Sequence, residues 1–60
     1  MFIVYFKSRE DMREPEKWLK EPLTTDCKLS EVRAICKIVG FVGFAITDFK
    51  SSVKHLEWID

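Results

Sequence analysis

The chain has 60 residues, of which 47% are hydrophobic, and its ten basic and ten acidic side chains leave a formal charge of zero. A chain this short makes one domain and buries only about 60% of the surface its unfolded form exposes, so it has little material with which to enclose a substrate cavity. Five Phe, two Trp and one Tyr exclude a disordered tail, and the balanced charge excludes both a non-specific polyanion binder and an acidic mimic of nucleic acid.

Phe2-Ile3-Val4-Tyr5-Phe6 is an unbroken run of aromatic and β-branched residues and predicts a strand near 2–7 that is covered on both faces. No basic leader precedes it and no small-residue cleavage site follows, so it is not expected to be a signal peptide. Ser8 and Asp11 loosely resemble a helix start, but Pro15 would clash with a preceding helical turn, and any turn there is brief. Pro15 suits the first position of a new helix with Glu16 at its positive end, and Pro22 halts it. A short helical turn near 15–21 follows, built around Trp18 and Leu19.

Thr24, Thr25 and Asp26 favour a connector. The main helix is expected over about 31–39, with Ser30 as N-cap, Leu29 stapled onto Ala34, and Val32, Ile35, Cys36 and Val39 on one apolar stripe. Gly40 supplies the left-handed residue that ends it, and Phe41 packs back on the last turn. A strand near 41–47 then puts Val42, Phe44 and Ile46 on one face and Gly43, Ala45 and Thr47 on the other. Asp48 to Ser52 forms a turn. The segment 53–59 would group Leu56 with Trp58 as a strand, or Phe49, Val53 and Leu56 as a helix, and its β-branched and aromatic content selects the strand.

The fold class is therefore α+β: a two- or three-stranded sheet packed by one main helix, with the last two strands as a hairpin. The sheet face away from the helix needs a cover, for which Trp18, Leu19 and Leu23, or a second copy of the chain, are the candidates. The longest weakly charged stretch, Ala34 to Thr47, contains Lys37 and falls short of the roughly 20 residues a membrane helix requires, so no membrane association is expected.

No catalytic or metal constellation is apparent. His55 is the sole histidine, and Glu57, two residues along the same strand face, is its nearest potential partner; a solvated or structurally bonded ring is the default. Cys27, Cys36 and His55 lack metal-ligand spacing, and Cys36 falls on the helix stripe while Cys27 sits in an exposed loop. Two cysteines are too few for a disulfide scaffold and fit a reducing cytoplasm. Gly40 and Gly43 follow a helix, the reverse of a phosphate loop, and no cofactor is expected.

The expected role is a non-enzymatic protein-binding module, a small cytoplasmic regulator or inhibitor that occludes a surface of a larger partner protein or pairs with itself as a homodimer. Trp18, Trp58 and Tyr5 are the candidate contact residues, because tryptophan is difficult to bury whole in so small a domain and is enriched where a partner completes its burial. The alternative is a small nucleic-acid-binding protein using Lys28, Arg33 and Lys37 as a basic ridge on the main helix, and nucleic acid is the lesser expectation.

Overall fold

A computed structural model describes residues 1–59. The chain runs β1 (Phe2–Phe6), two 3-10 turns (Arg9–Arg13 and Pro15–Lys17), β2 (Leu19–Pro22), α1 (Leu29–Val39), β3 (Gly43–Thr47) and β4 (Val53–Trp58). The strands form one antiparallel sheet in the order β2-β1-β3-β4. The fold is α+β as expected, but with four strands rather than two or three.

β1 is central because its apolar run has material to bury on both sides. Ile3 and Tyr5 join Phe44, Val32 and Cys36 beneath the helix, with Leu23, Cys27, Phe41 and Ile59 at the margins. Val4 and Phe6 join Ala45 on the opposite face, flanked by Met12, Trp18, Val42, Leu56 and Trp58. Phe6 and Phe44 are fully buried, one on each face; each contributes roughly 1.5–3 kcal/mol of transfer free energy.

The extra strand corrects the helical turn expected near 15–21. That turn stops at Lys17, and Leu19–Pro22 pairs along β1 with Pro22 opposite Phe2 and Leu19 opposite Tyr5. Pro22 is tolerated for a geometric reason. Leu23 donates its N–H to the Met1 carbonyl at 2.9 Å, which turns the backbones of Leu19 and Glu21 toward β1 and those of Lys20 and Pro22 to the outer edge, where a missing N–H breaks no ladder bond. The brief turn after Ser8 is present as Arg9–Arg13.

α1 begins at Leu29, two residues earlier than expected. Lys28 is its N-cap and makes no side-chain cap bond, so Ser30 lies inside the first turn and Leu29 is its first residue rather than a staple before it. The C-terminus follows the expectation: Gly40 is left-handed at φ 95°, and both Gly40 and Phe41 donate N–H to the Cys36 carbonyl, at 2.8 and 2.9 Å. Of the expected apolar stripe only Val32 and Cys36 are buried, because one helix stands over β1 and β3 and leaves its flank toward β2 uncovered.

Val42 departs from simple alternation. It precedes β3 and donates its N–H to the Phe6 carbonyl at 2.9 Å, one residue out of step with the Phe6–Gly43 register. This kink sends Val42 to the Phe6 side and Phe41 to the helix side. β3 and β4 form the expected hairpin, with a register shift at Ile46 and Thr47 that leaves Lys54 as the bulged residue. Trp18 does cover the far face, whereas Leu23 packs on the helix side and Leu19 is exposed.

Candidate protein-binding surface

The uncovered flank of α1 and strand β2 enclose a groove of about 420 Å³, lined by Tyr5, Leu19, Lys20, Glu21, Ile35, Val39 and Phe41. Its floor is the Tyr5 ring, stacked on Phe41 with centroids 4.9 Å apart and planes 22° from parallel. Its walls follow from two periodicities. The β pleat puts Leu19 and Glu21, the partners of Tyr5 and Ile3, on the helix side of the sheet. The helical repeat puts Ile35 and Val39 one turn apart on the flank that lines the groove, and places Ile38 next to Ile35 but turned further from the sheet, outside the groove lining.

Ile35, Ile38 and Val39 are 44%, 84% and 61% exposed, so this ridge presents three aliphatic side chains to water. The groove is apolar with one acidic wall. Burial, with the Glu21 carboxylate next in weight and the Cys36 and Cys27 thiols after it, pushes the Tyr5 hydroxyl above its ordinary range and keeps it neutral. Tyr5 is 5% exposed, so it forms a buried floor whose neutral ring is held in place by the core.

The other two expected contact residues lie elsewhere. Trp18 and Trp58 are half-buried on the far face of the sheet, each 5.8 Å from the Phe6 ring by centroid. The Trp18 indole N–H donates to the Asp11 carbonyl at 2.7 Å, and the Arg9 guanidinium lies 4.6 Å from the centre of the Trp58 ring. Both rings thus close the second core, and neither is brought near Tyr5.

The basic residues of α1 are also separated in role. Arg33 donates two hydrogen bonds to Glu57 on β4, while Lys28 caps the helix start and Lys37 lies exposed in its last turn. His55 stands 3.1 Å from the same carboxylate, on the strand face it was expected to share with Glu57. Cys27 is not an exposed loop thiol: it is half-buried and packs against the helix-side core that contains Cys36, and both cysteines are unpaired. Among the described residues no group of three or more His, Cys, Asp or Glu side chains is arranged to hold a metal ion, and no helix is long and apolar enough to cross a membrane.

Sequence reasoning missed most of the groove. Leu19, Lys20 and Glu21 lie within the segment expected as a helical turn, and Ile35 and Val39 on the stripe expected to be buried. One signal pointed to the surface: Ile38 breaks the amphipathic pattern of α1 by placing an aliphatic residue where a polar one belongs. Compared with known protein families, curated proteins and solved structures, the chain matches none of them.

Proposed function

We propose that the chain is a non-enzymatic protein-binding module, a small cytoplasmic regulator or inhibitor that seats an apolar segment of a larger protein on the outer flank of α1 and in the groove beside it. The carrying observation is the ridge Ile35, Ile38 and Val39, exposed by 44%, 84% and 61%, beside an open groove floored by Tyr5. Removing an aliphatic side chain of this size from water contributes roughly 1.5–3 kcal/mol when burial is complete. An apolar partner segment has that incentive to dock here, and the Glu21 carboxylate supplies a polar contact that fixes its orientation.

The nucleic-acid alternative gains no support from the arrangement of α1, because the middle member of its basic ridge, Arg33, is engaged with Glu57. The test is capture from a host extract by wild type and by Ile38→Lys and Val39→Lys, both at exposed positions where the fold tolerates charge. Capture of a discrete protein that both substitutions abolish supports the module. Capture that neither changes, or no capture by wild type, rejects it.

A further inference from the structure

The two edges of the sheet are not equivalent. At β2 the outward backbone groups belong to Lys20 and Pro22, so the four-residue strand offers a single N–H, from Lys20, beside a charged side chain and a proline. Such an edge is protected against pairing. β4 is six residues long and contains no proline. Ile59 donates its N–H to the Val42 carbonyl at 2.8 Å, which makes the Phe44–Glu57 and Ile46–His55 pairs the hydrogen-bonded ones and turns the N–H and C=O of Leu56 and Trp58 outward. Those four groups have no backbone partner among the described residues. α1 packs over Ile3, Tyr5 and Phe44, and its Arg33 meets β4 at the Glu57 side chain, not at the outward backbone groups of Leu56 and Trp58.

We propose that the chain forms a two-fold dimer by antiparallel pairing of β4 with β4 of a second copy, with the axis passing beside Leu56. In this register Leu56 exchanges N–H···O bonds with the partner's Leu56, and the two leucine side chains meet on the sheet face that carries Trp58. On the helix face His55 stands opposite the partner's Glu57, and Glu57 opposite the partner's His55. Charge selects this register. Moving the axis one residue along the strand puts Glu57 directly opposite the partner's Glu57, where like charges repel, or His55 opposite the partner's His55, where both carboxylate–imidazole pairs are lost. The occupant is a second copy because the strand is complementary to itself: in both directions the Glu57 carboxylate, already held by Arg33 and His55 of its own chain, faces the partner's imidazole. The α1 groove lies beyond β1 and β3 at the other side of the sheet and stays free, so the dimer does not depend on the role assigned to it.

Sedimentation equilibrium up to about 1 mM chain, the weak end of specific association, tests this with His55→Glu, His55→Lys and Ile38→Lys, all at exposed positions. The expected result is a monomer–dimer equilibrium that His55→Glu weakens roughly tenfold through two like-charge pairs per dimer, and that His55→Lys preserves or tightens. Leu56 and Trp58 amide exchange should slow as concentration rises. A chain monomeric throughout, a dimer indifferent to His55→Glu with both amides exchanging freely, or a dimer abolished by Ile38→Lys instead, overturns the proposal.

Discussion

Arg33 on α1 holds Glu57 on β4 through two hydrogen bonds, Nε to Oε2 at 2.7 Å and Nη2 to Oε1 at 2.5 Å. His55 Nε2 lies 3.1 Å from the same Oε1. The Arg33 hydrogen bond pulls the Glu57 carboxyl from its ordinary 4.5 to about 2, with desolvation opposing and His55 assisting. A carboxyl bound as an anion in the folded chain favours folding fully above about 4.5, and that contribution is lost as pH falls through about 2. Glu57→Gln should therefore flatten the acid side of the stability curve between those limits, as read by urea unfolding at successive pH values. An unchanged acid limb would show that the pair contributes nothing to folding, which is the outcome for many exposed ion pairs.

Thr47 is completely buried, and its Oγ1 has no hydrogen-bond partner among the described residues. A hydroxyl in that position has lost its water without replacement, while the γ-methyl packs normally. Thr47→Val keeps the branched shape and removes the orphan, and should stabilise by about 1 kcal/mol in denaturant unfolding. Thr47→Ser keeps the orphan and deletes the methyl, and should destabilise. If valine is the worse of the two, the hydroxyl has a partner in solution.

What the sequence discloses and what it hides divide along physical lines. β1 and β3 are legible because β-branched and aromatic residues dominate them, β4 less so because only Val53 and Trp58 of its six residues are of that kind, and the end of α1 because Gly40 has one conformational use. β2 is hidden because Leu19-Lys20-Glu21-Pro22 has no strand propensity; it is extended because β1 would otherwise show a bare edge, a tertiary demand that no local signal carries. The groove is hidden for a related reason. A helical stripe shows which residues could be buried, but how much of it is covered depends on how many strands lie beneath, and four strands exceed the reach of one helix.

Gly43 has no room for a side chain. A Cβ built on it would run into the Trp58 ring and lie 2.7 Å from the Glu57 carbonyl oxygen. The glycine lets the indole of the facing residue lie flat across β3, so Trp58 supplies the surface that a side chain at Gly43 would have filled. Gly43→Ala should destabilise by about 1–3 kcal/mol. Its cost should shrink in a Trp58→Ala background, leaving a residue due to the Glu57 backbone, and a double-mutant cycle with no coupling would contradict the contact.

Among the described residues two take left-handed backbone angles, and the chain treats them differently. Gly40 sits at φ 95° with open space around its missing Cβ, whereas Ser51 sits at φ 64° in the hairpin turn. Ser51 is held there by its neighbours: Asp48 Oδ1 accepts from the Lys50 and Ser52 N–H groups at 2.9 Å each, and Ser51 N–H reaches the Asp48 carbonyl at 3.1 Å. These backbone bonds also pull the Asp48 carboxyl below its ordinary range, Ser52 first, against desolvation. Because no atom blocks a Cβ at Gly40, Gly40→Ala should cost only the dihedral penalty, about 1 kcal/mol. Ser51→Gly should recover a similar penalty, less the Lys20 Nζ contact to Ser51 Oγ at 3.2 Å and the added freedom of the unfolded chain. A net gain of about 0.5 kcal/mol is expected, and it should vanish when Asp48→Ala releases the turn, because a loop free to leave the left-handed region no longer favours glycine.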